Sequence, residues 1–383
     1  MQKSLKVFLI IIFLAIAPIL VVWLPFLLEI KSFMGIPIAQ GGLSAIVSNY
    51  DGPLYIVIAK TFYNFDLIKN FPFSLPVEYY AAHFPLFPII IRAFGQFTGY
   101  IYGGLIASIL GSIFALSYFY LLAKMYLKPQ NALWLTAIFS IFPVRFLIVR
   151  SVVSPEALFL GAIIASIFYF QKKNYFLAGI FGAIAQMTKS PAIILFISYF
   201  ITITFPYISK MVMGKLKKIE LYSLSSIFIF LIPLSLVLVF GIYYFQMGNF
   251  FAYFNSGDNI HLFFPPFQIF NYSQSWVGSH WLEDIIFIYL LSLTGIASLY
   301  KLKDKAMFYF CSIFFIAIIF VSHRDISRYI LPITPFLLIG LSKFLIKKQF
   351  KIILLILLLP MLLYSIAFIS NNIMPIGNWT PLL

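Results

Sequence analysis

From Val7 to Leu28 the chain runs without a single charged residue, and almost every side chain in that stretch is apolar. About 20 such residues in helical form cross the hydrocarbon core of a bilayer. Only a helix or a closed barrel satisfies the backbone there, because lipid offers no hydrogen bonds. Comparable runs recur along the chain. With the first taken as Leu5 to Leu28, they are Tyr100 to Ala123, Ala132 to Val149, Pro155 to Phe170, Tyr175 to Met187, Ala192 to Ile208, Leu221 to Phe245, Ile285 to Tyr300, Ala306 to Ser322, Tyr329 to Ile346 and Ile352 to Ile369. Of the 383 residues, 62% are hydrophobic and only 10% charged, which excludes an average soluble domain. The pattern predicts an all-α polytopic membrane protein, a single integral domain over residues 1–383 with about eleven spans. The first run lacks a small-residue cleavage site and reads as an uncleaved signal anchor.

A net charge of +15 would suggest nucleic acid if it formed one patch, so its distribution decides the matter. With the amino terminus placed in the cytoplasm, one side of the membrane collects lysines only, among them Lys124, Lys128, Lys172, Lys173, Lys215, Lys217, Lys218, Lys301, Lys303, Lys305, Lys347 and Lys348, against Glu220 and Asp304. That is a positive-inside signature. The opposite side holds all five arginines, Arg92, Arg145, Arg150, Arg324 and Arg328, and most acids, including Asp51, Glu156, Asp258, Glu283, Asp284 and Asp325. Lysines at helix ends snorkel and anchor, so the chemistry is expected on the arginine side.

Two connections on that side are long: residues 29–99 and residues 246–284. In the first, Leu54, Ile58 and Phe62 with Tyr55 and Ala59 follow helical spacing, which predicts helices lying on or packed against the membrane surface. The second carries Pro265, Pro266, Trp276 and Trp281, the composition of an interfacial aromatic cap or of a lid over a cavity. Gly103, Ala107 and Gly111 beside Gly104, Ser108 and Ser112 mark a close helix-packing face.

Asp51, followed by Gly52 and Pro53, sits at an expected helix start. Its carboxylate either caps that helix or serves as a general base toward an incoming hydroxyl. Arg145, Arg150, Lys189, Arg324 and Arg328 fall at one membrane depth, where arginine forks suit phosphate oxygens; pairing with Glu156, Asp325 or Glu283 is the structural alternative. The histidines show no ligand spacing, and a divalent metal held by Glu283 and Asp284 with Asp51 is the remaining route to a cofactor.

Tyr50, Asp51, Gly52, Pro53, Leu54 and Tyr55, then Ile58, Ala59 and Tyr63, resemble the Trp-Asp-Gly, Tyr, Ile-Ala, Gly-Tyr pattern in the first loop of the GT-C superfamily, especially the group around the second mannosyltransferase of GPI-anchor assembly. His83 to Pro88 with Arg92 is similar to that group's Phe-Phe-Pro-Leu-Tyr-Pro stretch and its arginine. Ser154 to Phe159 resembles its Ser-Glu-Ser-Leu-Phe element, and Ala178 to Gly182 with Thr188 and Lys189 its Ala-Gly and Thr-Arg elements. Arg328, Tyr329, Leu331, Pro332 and Pro335 are a looser likeness to the late Arg-Tyr and proline element of many GT-C enzymes. Tyr50 stands for the usual tryptophan, Phe62 for a glycine, His83 for an aromatic residue and Lys189 for an arginine.

The resemblance implies a GT-C-like bundle and a glycosyltransferase that moves a sugar, a hexose such as mannose, from a polyprenyl-phosphate donor to a hydroxyl on a lipid-linked or glycan acceptor at the outer face, with inversion. Asp51 would be the catalytic base, and Arg150, Lys189, Arg324, Arg328 and His83 would hold the donor phosphate. Glu156 and Tyr55 would serve the acceptor or structural pairing, with Arg150 as the nearest partner of Glu156. A lipid-linked saccharide flippase and a non-catalytic subunit of a transferase complex are the competing readings.

Overall fold

A computed structural model describes residues 2–213, 224–257, 261–271, 273, 279–302 and 304–383. Lys215, Lys217, Lys218, Glu220, Lys303, Asp258 and Trp276, with the expected span start at Leu221, lie outside the described residues. The chain opens with α1 (Gln2–Leu27). A short hairpin pairs Ser32–Phe33 with Ile36–Pro37, and then come α2 (Leu43–Val47), α3 (Gly52–Thr61), α4 (Phe65–Ile68), a 3₁₀ turn over Val77–Ala82 and α5 (Leu86–Thr98). The bundle continues through α6 (Tyr100–Ala123), α7 (Pro129–Ile141), α8 (Val144–Arg150), α9 (Glu156–Gln171), α10 (Tyr175–Thr188) and α11 (Ile193–Val212). It ends with α12 (Leu231–Met247), α13 (Ser279–Lys301), α14 (Lys305–Ile318), α15 (Ile326–Tyr329), α16 (Thr334–Gly340), α17 (Ser342–Leu345) and α18 (Lys348–Asn371).

All eleven apolar runs are helical where described, but they are not equivalent. Among the described residues six helices are long and apolar enough to cross a membrane, or seven if α7 and α8, bent by 70° at their junction, count as one span. The bend has a local cause: Pro143 has no N–H, and Phe142 before it is driven to an extended conformation, φ −133°, ψ 135°. α9, α10 and α14 are shorter. The 16 residues of α9 span about 24 Å, less than the roughly 30 Å core, and the helix is buried along nearly its whole length at the centre of the bundle. The protein is therefore an integral multi-pass membrane protein with short helices enclosed by long ones.

The first connection is helical, as its spacing predicts, and its helices pack into the protein. The run from Leu43 to Phe65 is two helices, broken at residues 48–51 where Tyr50 takes a left-handed φ of 50°. In α3 every residue from Gly52 to Ala59 is buried, so there is no solvent or lipid face to be amphipathic. Its apolar side chains join the end of α1, α5 and part of α6 in one core, while a second core fills the bundle around α9, α10, α14 and α16. Tyr50 packs against both. The small-residue face of α6 does what its spacing suggests: a Cβ on Gly111 would lie 2.8 Å from the Leu158 backbone nitrogen, so α9 approaches there at backbone distance.

Candidate functional site

Asp51 ends the break before α3, yet its side chain makes no capping bond; its backbone carbonyl takes the Tyr55 N–H instead, at 3.0 Å. The capping role thus goes unfilled and the carboxylate is left to turn elsewhere. Its Oδ2 lies 3.6 Å from Nε2 of His83, and the side chain stays 32% exposed. His83 follows the 3₁₀ turn, buried, its carbonyl accepting from the Tyr63 hydroxyl and its ring edge-on to Tyr55 at 4.9 Å. Nδ1 of His83, shielded from solvent, has no hydrogen-bond partner among the described residues. Tyr55 is one turn beyond Asp51 on the same helix face and is itself buried, so it walls the pair. Burial pushes the Asp51 carboxyl up, but the hydrogen bond and charge of His83, with Arg328, outweigh it and hold the group below its usual value.

The second constellation gathers at the first turn of α9. Glu156 is buried, and its Oε1 accepts from Lys189 Nζ at 2.8 Å and from Arg328 Nε and Nη2 at 2.7 and 2.6 Å; Oε2 takes the Ser154 hydroxyl. Lys189 stands where α10 has ended, and Arg328 lies in the four-residue α15. A carboxylate at a helix N-terminus is favoured by the exposed amides there, and two cations complete its neutralisation. Arg328 also lies over the Tyr50 ring, 4.3 Å from its centroid. Next to it, Arg145 Nε pairs with Asp325 Oδ1 at 3.1 Å, and the same guanidinium donates to Ser327, Tyr50 and Tyr364. Asp325 is buried deeply enough that its carboxyl is raised despite Arg145 and Arg328.

Of the residues singled out from the sequence, Asp51, His83, Tyr55, Glu156, Lys189 and Arg328 come together in this way; Arg324 is exposed two residues after Ser322 and beside the cluster in sequence only. Arg150 does not join them. It is wholly buried and donates to three backbone carbonyls, Ala15 at 2.5 Å, Ser140 at 2.6 Å and Leu14 at 3.4 Å. Leu14 O is left over because its helical partner four residues on is Pro18, which has no N–H, and Ser140 O because the chain bends before its partner. The expected Glu156–Arg150 pair is accordingly replaced by Glu156 with Lys189 and Arg328. Glu283 and Asp284 stand exposed near the start of α13, and no three His, Cys, Asp or Glu among the described residues group to hold a metal ion, so the trio with Asp51 is not assembled. Arg145 and Asp325, named from the sequence as a candidate phosphate cation and as a pairing partner, take the pairing alternative here, and Tyr50, noted only in the motif around Asp51, joins them.

The second long connection covers this end. Tyr253 bonds Ser190, next to Lys189, at 2.8 Å, and packs edge-on against Phe84, next to His83. Ser322 N–H donates to His261 O at 3.0 Å and Phe263 N–H to Phe320 O at 2.8 Å, tying the connection to the segment before Arg328. The described part of the connection thus lies across the site.

No protein-family model matches the chain, and no curated protein matches its sequence. Its fold does have a counterpart: the crystal structure of ArnT from Cupriavidus metallidurans bound to undecaprenyl phosphate, 13% identical, with a TM-score of 0.54 over 90% of this chain. The two share a fold. The match spans 62% of the ArnT chain, and at that identity the likeness carries the fold alone.

Proposed function

We propose that this GT-C-type protein is a glycosyltransferase that takes a sugar, a hexose such as mannose, from a polyprenyl-phosphate donor and transfers it to a hydroxyl of a lipid-linked or glycan acceptor. The observation that carries the reading is an uncapped, ionised carboxylate, Asp51, near a half-buried cation pair, Lys189 and Arg328, at one end of a membrane bundle. An ArnT structure of related fold holds undecaprenyl phosphate, and the ordered motifs from Tyr50 to Lys189 resemble those of the second GPI mannosyltransferase. Amino terminus in the cytoplasm and site on the outer face follow from the lysine sidedness.

In this mechanism the acceptor oxygen attacks the anomeric carbon while its proton passes to Asp51. The bond from that carbon to the donor phosphate oxygen breaks, and its electron pair stays on the phosphate. Attack opposite the leaving group inverts the anomeric centre. Arg328 and Lys189 meet the charge that develops on the phosphate, and Glu156 acts through them, keeping both cations aimed before substrate arrives. His83 holds the Asp51 carboxylate in its ionised form, and the apolar walls of Tyr55 and the second connection limit water.

The test is transfer itself. Purified protein supplied with radiolabelled polyprenyl-phosphate hexoses and candidate hydroxyl acceptors should release labelled product, and Asp51→Asn should lower the rate by about 10²- to 10⁴-fold with donor binding retained. Full transfer by a folded Asp51→Asn protein would sink the assignment, and vesicle uptake of label without transfer would favour a transporter.

A further inference from the structure

α9 carries Glu156 at one end and, sixteen residues later, opens at its other end into a hollow of about 360 Å³ that the Asp51 site does not use. The hollow is formed where the ends of α6 and α9 and the starts of α10 and α14 meet the middle of α11. Its floor is apolar, with buried Phe170 and Ala306; Lys173 and Lys305 are exposed at its rim, and Gln171, Asp304, Tyr126 and Thr202 lie between. A volume at the lower end of ordinary ligand sites suits a headgroup-sized molecule rather than an extended one.

The chemistry of the rim selects an anion. Lys173 and Lys305 are both exposed at it. Lys173 is held by the turn that ends α9, its N–H on Phe170 O at 2.9 Å and that of Asn174 on Tyr169 O at 3.0 Å, with a left-handed φ of 57°. The single carboxylate, Asp304, is already engaged through both oxygens: Oδ1 accepts from the Met307 N–H at 3.0 Å and Oδ2 from the Tyr126 hydroxyl. Two 14-residue helices, α10 and α14, begin at the hollow with Tyr175 and Lys305, so their N-terminal dipoles point positive ends toward it. Gln171 supplies a further sign. Its Nε2 and Oε1 are shielded from solvent and neither has a hydrogen bond of good geometry, although the amide lies beside the Tyr126 hydroxyl. A neutral amide with both ends unsatisfied is costly to bury.

We propose that this hollow is a second binding site, for a phosphoryl group, carried either by the headgroup of an anionic lipid or by a soluble phosphate. Lys173 and Lys305 neutralise it, the apolar floor takes the adjoining carbon skeleton, and the site lies about 24 Å along α9 from Glu156. It does not depend on the transferase reading.

Binding of dioctanoyl phosphatidic acid, dioctanoyl phosphatidylcholine and inorganic phosphate to the detergent-purified full chain, followed by native mass spectrometry and titration, tests the proposal. Phosphatidic acid should bind more tightly than phosphatidylcholine, and Lys173→Gln with Lys305→Gln should weaken it at least tenfold, while Lys347→Gln with Lys348→Gln, a charge-matched control in exposed positions, should leave it unchanged. Competition by inorganic phosphate at equal concentration would identify the soluble form as the ligand, and its failure to compete would identify the lipid headgroup; both keep the site. Equal binding by wild type and the Lys173/Lys305 double variant, or an equal loss in the control pair, would overturn it.

Discussion

At the scale of single residues, the defining feature is a carboxylate kept from its ordinary duty. A residue such as Asp51, directly before a helix, commonly bonds a first-turn amide. Here the side chain faces His83 instead, and its lowered pKa makes it a base that is ionised throughout the neutral range. The pH dependence follows with a definite sign: the acid limb of kcat/KM should lie below the usual carboxylate range, and His83→Gln, by removing the hydrogen bond and charge that favour the ionised form, should move that limb to higher pH. An unchanged limb in His83→Gln would disconnect the two residues. Asp51, His83, Glu156, Lys189 and Arg328 were all legible as candidates from residue type and membrane sidedness. Which acid pairs with which cation was not legible, because Glu156 and Arg328 are 172 positions apart. Glu156→Gln should leave two half-buried cations short of a counter-charge, lowering stability in reversible unfolding by about 1–3 kcal/mol and transfer activity with it.

At the scale of elements, broken helices create the demands that the charged residues meet. Pro18 inside α1 and the bend between α7 and α8 each leave carbonyls unbonded, and Arg150 serves both at once. Arg150→Leu should therefore cost about 1–3 kcal/mol per carbonyl stranded. The cost should shrink in a Pro18→Ala background, where residue 18 regains an N–H for Leu14 O; a double-mutant cycle measures the coupling, and strictly additive losses would contradict this account. Sidedness alone groups Arg150 with Arg145, since both sit near one end of an apolar run. Both lie on α8, beyond the bend, and their five-residue spacing points them to different faces of it, Arg145 toward Asp325 and Arg150 toward α1. The helical spacing in α3 was legible as a helix but its partners were not, because periodicity of apolar residues does not say what the helix buries against, here α5 and α6.

At the scale of the whole molecule, two packed cores meet under Tyr50, and the second long connection is drawn over their junction. His323 belongs to that closure: its ring lies 4.5 Å from His261, and its Nδ1 accepts the Asp325 N–H at 3.0 Å, which requires the neutral form. Burial, then His261 and the neighbouring arginines, push its pKa down from 6.5 to about 4. The unfolded chain therefore binds more protons than the folded one between these values, so stability should fall as pH drops from about 6.5 to about 4. His323→Asn, which preserves an acceptor without the titration, should flatten the fall in thermal unfolding midpoint across that window.

By itself the sequence determined that the chain lives in a membrane and that its apolar runs are largely helical. Those properties follow from local composition and from the bilayer's demand that every backbone group be satisfied within the chain. Only the tertiary structure decided which described helices are long enough to cross a membrane and which are short and buried, that Glu156 belongs to Lys189 and Arg328, and that Arg150 fastens the backbone. These are contacts between distant segments, and their choice rests on how proline breaks and glycine approaches let the helices pack.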